Sequence, residues 1–441
     1  MRYRFFLFLL MLFTVTDLLP AKEYDLAAIL KLAEQNNKDL KLAGSDLEFA
    51  SAQLKEAIST ALPRINVDLG YNRNFLESKF YFTVTDSAGK QRTESFKASF
   101  TNEYQLNAVL NQTLFGFGKV GNAIRAANYF KKFTNFQYNG QWQYVITEVK
   151  KAFFQVLLLK KVWDVSRQSE LSALDNYENI KLKYDSGVVS EFELLQAESR
   201  WQNAIPEAMK ARKNYELSIN YLKALVDIPL REEITLIGDL ETYPIVPDSL
   251  TYDQIFEQRP DYNALMWEKK LQERRVAYEF SNYLPTLQGN LIYTYGARSD
   301  QFRLENKNDN IILGITLNIP VFTGFYTSAQ VQKARIDVER VKTRISKAND
   351  DIRIEIQNIR LRLQESSERI AANKKSVETA RRAFEIAESR VEHGLATQLE
   401  LKDSRVFLDQ AQLNYYSAIY DYLDALFDWQ RATGQVTVAG I

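Results

Sequence analysis

Few side chains of this 441-residue chain could do acid–base, nucleophilic or metal chemistry, because it has one histidine, His393, and no cysteine. Histidine is the commonest metal ligand and titrates near neutral pH. A cysteine thiolate would supply a nucleophile or a sulfur ligand. Catalysis would therefore rest on Asp, Glu, Lys, Tyr or Ser, and no motif assembles these into a site. We predict that the protein is not an enzyme and holds no metal and no cofactor.

An internal duplication organises the chain. The segment around Gly187, KYDSGVVSEFELLQAES, returns around Gly394 as RVEHGLATQLELKDSRV, 207 positions later. The tripeptide ALP that ends at Pro63 returns as YLP ending at Pro285, 222 positions later. Because the two offsets differ by 15 residues, one copy carries an insertion between Pro63 and Leu114. We therefore predict two copies of one supersecondary unit.

Charge and the first residues indicate an exported protein. The 56 basic and 56 acidic residues balance, which argues against a nucleic-acid binder. Arg2 and Arg4 precede an apolar run at 5–15, and Ala21 is a plausible cleavage point, as in a secretory signal. A membrane anchor is the alternative, but the run is shorter than the ~20 residues that a span requires.

Four segments alternate between apolar and polar residues with the period of a strand. The clearest is predicted as one continuous strand from Phe96 to Phe115, and the others carry their apolar residues at 65–71, 287–295 and 311–319. Two interpretations are open. The segments form hairpins on a soluble core, or they form a membrane barrel with a wet lumen. The length of the Phe96 segment exceeds that of ordinary soluble strands and favours the barrel.

A barrel would need more than one copy of the chain. Lipid tolerates no open sheet edge, and the smallest common barrels have eight strands. Two chains would supply eight strands and three would supply twelve.

Long helices are predicted after each strand hairpin, since proline is absent from 64–205 and 321–441. In 327–391 the apolar residues repeat as heptads, with one four-residue stutter between Ile352 and Ile356. Left-handed turns are expected at Gly187 and Gly394, with return helices over about 190–226 and 397–431. A soluble coiled coil or periplasmic scaffold would explain the heptads, but not the long strands before both helices.

These features together resemble the TolC-like outer-membrane efflux protein family, and the resemblance covers essentially all of the mature chain. It rests on the paired ALP and YLP junctions at Pro63 and Pro285, LFGFGK after the second strand, PVFTG at Pro320, RPD at 259–261 and the twin glycine turns. Each motif is weak alone, but their order, repeated twice, is specific.

The resemblance implies a fold and a function. The fold is an α+β membrane protein, internally duplicated, whose two β-hairpins give four strands to a trimeric, twelve-stranded β-barrel and whose long antiparallel helical hairpins form a twelve-helix periplasmic α-barrel. The protein would be a passive exit duct for drugs, metals or proteins in the outer membrane of a Gram-negative-type cell. It would contact outer membrane lipid, a periplasmic adaptor and an inner-membrane transporter, in a tripartite efflux or type I secretion system. A non-conducting periplasmic coiled-coil scaffold is the alternative.

The resemblance also assigns site residues. Acidic residues after the second turn would narrow the periplasmic entrance and select cations: Glu400 and Asp403, with Glu193 at the position matching Glu400 in the first copy. Ordinary solvated helix charges are the alternative. The turn tips, at 186–197 and 393–404, would dock the adaptor through Gly187, Val188, Ser190, Gly394, Leu395 and Thr397. Pro63, Pro285 and Pro320 would mark helix–strand junctions.

This chain departs from the family at the latch that holds the turns shut. In the family, an aromatic residue precedes the second glycine and an arginine follows it. This chain has Val391 and Ala396 at these positions, so gating would use other contacts. Lys402 lies between the two acids and would soften their field. We interpret His393 as an exposed turn residue, with pH sensing as the alternative.

The predicted organisation is a signal peptide at 1–21, a first repeat at 22–228, a linker at 229–249, a second repeat at 250–434 and a tail at 435–441. The first repeat holds a strand hairpin over about 64–115 and a helical hairpin over about 119–226. The second holds a strand hairpin over about 286–322 and a helical hairpin over about 327–431.

Overall fold

The computed structural model describes residues 22–245 and 250–438. The predicted export signal at 1–21 lies outside them, as do part of the predicted linker and the last residues of the tail. The chain divides into two compact units. One holds the residues up to Leu42, Gly140–Arg259 and the residues from Asp351 onward, and the other holds Ala43–Asn139 and Pro260–Asp350.

The first copy runs from short helices through strands to two long helices. Its elements are β1 (Lys22–Tyr24), α1 (Leu26–Asn36), α2 (Lys38–Ser59), β2 (Arg64–Arg73), β3 (Lys79–Thr85), β4 (Gln91–Lys97), β5 (Asn102–Phe115), α3 (Lys119–Asp185) and α4 (Glu191–Val226).

The second copy repeats this order after a short strand. Its elements are β6 (Ile234–Leu236), α5 (Tyr252–Gln258), α6 (Pro260–Phe280), a 3-10 helix (Ser281–Tyr283), β7 (Thr286–Ser299), β8 (Asn308–Asn318), α7 (Tyr326–Glu392) and α8 (Gln398–Ala432).

Four strands form one antiparallel sheet in the order β2-β5-β7-β8, so the two copies pair at its centre. Residues directly opposite one another in a sheet lie on the same face, and the register joins the apolar sets of all four strands, as predicted. One apolar row is Ile65, Leu110, Leu291 and Leu313. A row on the other face is Asp68, Asn107, Thr294 and Asn310.

The prediction of one continuous strand from Phe96 to Phe115 is wrong. The strand breaks between Lys97 and Asn102, so the predicted hairpin over about 64–115 is four strands, with β3 and β4 paired as a separate two-stranded sheet. The partner strand explains the break: five residues at 74–78 face four at 98–101. The extra residue shifts the register by one and interrupts the ladder.

Helix α7 follows its predicted heptad seam. Every seam position from Ala334 to Val391 is buried or half-buried, and Ile352 and Ile356 are both buried across the stutter. Helix α3 is buried on more than one side at 145–157, because it contacts both α8 and the segment around Gly238. No helix in the described ranges contains a stretch long and apolar enough to cross a membrane.

A parallel pair of three-residue strands, β1 and β6, was not predicted. It joins the start of the described chain to the predicted linker, next to buried residues of α1 and α4 such as Ile29 and Leu222. Strands this short carry too few alternations to be detected in a sequence.

Ion pairs tie α3, α7 and α8 together along one face of α8. Lys151 of α3 lies 2.9 Å from Asp424 and 2.7 Å from Asp428. Arg362 of α7 reaches the same two carboxylates, at 2.6 and 3.0 Å. Both aspartates are largely shielded from water, and each is shared between a lysine of α3 and an arginine of α7.

Candidate functional site

Both long helical hairpins turn at a glycine in the left-handed conformation, as predicted, with φ of +73° at Gly187 and +70° at Gly394. The amide after each glycine donates back to the carbonyl five residues earlier, which satisfies a free carbonyl of the ending helix. These bonds are Val188 N–H to Lys183 O and Leu395 N–H to Arg390 O, both 2.8 Å.

The helices that follow the turns begin at matched caps. Ser190 Oγ accepts a hydrogen bond from the Glu193 amide at 3.4 Å, and Thr397 Oγ1 accepts one from the Glu400 amide at 3.2 Å. Such caps satisfy amides that a helix start leaves unpaired. Two residues predicted to dock a partner, Ser190 and Thr397, therefore also have a local structural role.

Glu400 does not stand as an isolated charge. Arg390, at the end of α7, lies 3.5 Å from its carboxylate and also donates a hydrogen bond to the Leu395 carbonyl at 3.0 Å. Arg390 therefore bridges the turn, from the last residues of one helix to the first of the next. Both side chains are about half exposed, so the pair itself is worth ~0–1 kcal/mol.

Asp403 lies one helical turn after Glu400 and interacts with a residue of the other hairpin. Burial lowers the pKa of Arg200 in α4, and the charge of Asp403 opposes that shift. Arg200 also donates to the Gln398 carbonyl at 3.4 Å. The second turn therefore contains two acids, each near an arginine.

Glu193 stands apart from this pair of acids. It opens α4 in the first hairpin, and no ion pair of its carboxylate is found among residues 22–245 and 250–438. The position that matches Asp403 in the first copy is Gln196, which carries no charge. The two turns share their left-handed glycine and their helix cap, but they carry different charges.

Arg390 is the residue that the sequence did not reveal. Val391, where the family's aromatic latch residue would stand, is a half-buried seam residue, and Ala396 is also half-buried. A base and an acid do occupy matched positions in both copies, since Arg390 is repeated as Lys183 and Glu400 as Glu193. Among the described residues only the second pair forms an ion pair, so this spacing does not by itself predict the bridge.

His393 is exposed, as predicted, and its Nδ1 lies 2.7 Å from the Ser389 carbonyl. Within the described ranges, no three His, Asp or Glu side chains lie close enough together to hold a metal ion.

Apolar side chains surround both turns and are left uncovered. Val188 and Phe192 are exposed at the first turn, and Leu395 and Leu399 occupy the matching positions at the second. Within each pair, the two apolar residues are four positions apart in the sequence. Exposed apolar groups at matched positions are typical of a contact surface for another protein.

The outer membrane efflux protein family model matches residues 29–226 and 251–435 of this chain. Outer membrane protein TolC of Vibrio cholerae is 20% identical over 423 residues, which are 94% of this chain and 91% of that protein. Alkaline protease secretion protein AprF of Pseudomonas aeruginosa is 22% identical over 300 residues, 67% of this chain and 62% of that protein.

Among solved structures, the Campylobacter jejuni CmeC outer membrane channel has a similar fold. The TM-score is 0.76 at 20% sequence identity, over 93% of this chain and 85% of that one. The turns, seams and sheet described above therefore occur in the fold of outer membrane channels.

Proposed function

This chain belongs to the outer membrane efflux protein family, and from that premise we propose that three copies form an exit duct gated at the helical turns. The protein is an outer-membrane component of export systems, with a periplasmic extension. The observation that carries the proposal is the four-stranded sheet, which has one apolar face, one polar face and two open edges.

The open edges require further copies of the chain. In lipid, the unpaired backbone groups of β2 and β8 would each cost several kcal/mol. Pairing β2 of one copy with β8 of the next would satisfy them, and three copies would close a barrel of twelve strands. Helix α7 also supports an assembly of several copies, because it exposes a second apolar stripe at Ile336, Ile354 and Leu361.

The two helical turns are the proposed site at which a partner protein docks and the duct is gated. A periplasmic adaptor linked to an inner-membrane transporter would cover the exposed pairs Val188 with Phe192 and Leu395 with Leu399. The matched caps and left-handed glycines make each tip rigid, which limits the entropy lost on binding. Gly187, Ser190, Gly394 and Thr397 are therefore proposed to shape the docking surface.

The acids near the second turn are the proposed constriction. Around a threefold axis, Glu400 and Asp403 would form two acidic rings that repel one another and attract cations. Arg390 and Arg200 would balance part of this charge and hold the turn closed. One relative is a protease secretion protein and the family is one of efflux proteins, so exported proteins and small solutes are both candidate cargoes.

Native mass spectrometry of the detergent-purified protein tests the assembly. We expect a single species of three chains, which chemical cross-linking in the membrane should reproduce. A monomer that binds lipid and stays folded would contradict the shared barrel, since four strands cannot close alone. Release into the soluble periplasmic fraction without detergent would favour the non-conducting scaffold.

A further inference from the structure

The β3–β4 hairpin exposes an aromatic face that nothing in the described chain covers. The apolar residues of this aromatic face are Phe80, Phe82, Val84 and Phe96, which are 65%, 44%, 39% and 56% exposed, and Glu94 and Arg92 lie on the same face, directly opposite Phe82 and Val84. Phe80 and Phe96 are opposite one another and stack with ring centroids 5.7 Å apart, and Phe82 lies 6.0 Å from Phe96.

The hairpin's other face is polar. It carries Thr83, Thr85, Thr93 and Ser95, together with Lys79, Tyr81 and Lys97. Two-stranded hairpins are marginal in water unless one face packs on something. An exposed cluster of three phenylalanines on such a hairpin therefore indicates a partner for that face.

The aromatic face continues the apolar face of the main sheet. In β2 the apolar residues are at odd positions, such as Leu69 and Tyr71, whereas in β3 they are at even positions, such as Phe80 and Phe82. A one-residue shift moves a strand's side chains to the opposite face. The extra residue at 74–78 cancels this change. Tyr71 pairs with Tyr104 of β5 and Phe80 pairs with Phe96 of β4, so the partner residues are at even positions in both strands.

The position of the hairpin along the strands places it beyond the hydrocarbon. Strands β2 and β5 pair over the 10 residues Arg64–Arg73, which at ~3.3 Å per residue and ~45° tilt span ~23 Å of depth. This matches the ~25 Å apolar band of membrane barrels. Tyr71, Tyr104 and Phe302 cluster where the pairing ends, with centroids 5.2 to 6.0 Å apart, as in an interfacial aromatic girdle.

The base of the hairpin is fixed rather than free to swing. Asp300, in the β7–β8 connection, accepts hydrogen bonds from Lys97 Nζ at 2.7 Å and from the Thr101 amide at 3.0 Å. Lys97 also lies 3.2 Å from Glu77. These contacts span both sides of the register shift and tie the base of the hairpin to the β7–β8 connection.

We propose that the β3–β4 hairpin is an interfacial anchor, whose aromatic face lies against the headgroup boundary of the outer lipid leaflet. Continuity with the lipid-facing side of the sheet identifies lipid as the occupant, and membrane barrels carry girdles of aromatic residues at that boundary. The inference rests on the proposed barrel, which sets the sheet in the membrane. The 15-residue difference between the two copies is then the length that the first copy adds to reach this surface.

The absence of cysteine allows a direct test with single labelled positions. Val84→Cys places a fluorophore on the aromatic face, Thr83→Cys places it on the opposite face one residue away, and Leu69→Cys reports on the main sheet. The full-length protein is reconstituted in phosphatidylcholine vesicles that carry doxyl groups near the headgroup or near the chain end. Quenching of each label is then compared between the two lipids.

We expect headgroup-proximal doxyl to quench the label at 84 several-fold more than the label at 83, and chain-end doxyl to quench the label at 69. Equal quenching at 83 and 84, with 69 still quenched, would overturn the anchor and leave the barrel intact. No quenching at 69 would overturn the barrel, and the anchor with it. Dipolar broadening between nitroxides at position 84 of neighbouring chains, without lipid quenching, would show that a second copy covers the face instead.

Discussion

At the scale of single residues, the most unusual group is Lys150 in α3. Its side chain is almost fully buried, at 1% exposure, beside Phe427 and 3.2 Å from the amide oxygen of Gln430. Burial lowers the pKa of Lys150 from 10.5 to about 8. At neutral pH the folded protein therefore holds a buried charge for which residues 22–245 and 250–438 provide no carboxylate partner, and this costs stability.

Lys150→Met should raise the free energy of unfolding by about 1–3 kcal/mol at pH 7. Between the folded pKa of about 8 and the unfolded value of 10.5, the unfolded chain binds more protons, so the native protein gains stability as pH rises. The advantage of the methionine should therefore shrink across this window. Denaturation of both proteins in detergent at pH 7 and pH 10 checks this prediction. A difference in the free energy of unfolding that is independent of pH would contradict it.

Arg390 is the residue on which the charge of the second turn depends. Arg390→Gln removes the partner of Glu400 and one bond across the turn, so we expect higher cation selectivity and more frequent opening. Reversal potentials in a salt gradient measure the first effect and single-channel records the second. Arg382→Gln is the matched control, because Arg382 pairs with Glu385 on the exposed surface of α7 at 3.1 Å. Equal behaviour of the two variants would remove Arg390 from the gate.

At the scale of elements, the turns depend on backbone conformations that favour glycine. Gly394→Ala should destabilise the protein by about 1–2 kcal/mol, because its φ of +70° suits residues without a Cβ. Gly44→Ala is the control: Gly44 lies inside α2 and an added Cβ would meet nothing within 4 Å. It should stabilise by up to about 1 kcal/mol. The two substitutions should change the free energy of unfolding in opposite directions. Destabilisation by both would contradict the role assigned to Gly394 in the turn.

Elements with a long, regular period were the most predictable. The seam of α7 could be predicted because many consecutive heptads constrain one face. The break before Asn102 leaves only a weak trace in its own strand, where the even positions from Phe96 to Leu110 are apolar except for Asn102. The signal was in the partner strand, where apolar residues change from odd positions at Tyr71 to even positions at Phe80. The bridge made by Arg390 could not be predicted from spacing, because the matching Lys183 and Glu193 of the first copy form no ion pair among the described residues.

At the scale of the whole molecule, one sheet register and two turns account for an exit duct. The register separates an apolar face from a polar one, and the open edges call for further copies. The turns bring two acids and two arginines to one place. Neither feature needs a catalytic group, in keeping with a family of channels.

Single-channel conductance in a planar bilayer tests the central claim most directly. We predict a small cation-selective conductance for the purified protein, whose selectivity drops in Glu400→Gln/Asp403→Asn. Glu392→Gln, which removes an exposed charge before the turn, should leave it unchanged. Selectivity that does not respond to the double variant would contradict a constriction at Glu400 and Asp403. No conductance at all from folded, membrane-inserted protein would contradict the duct.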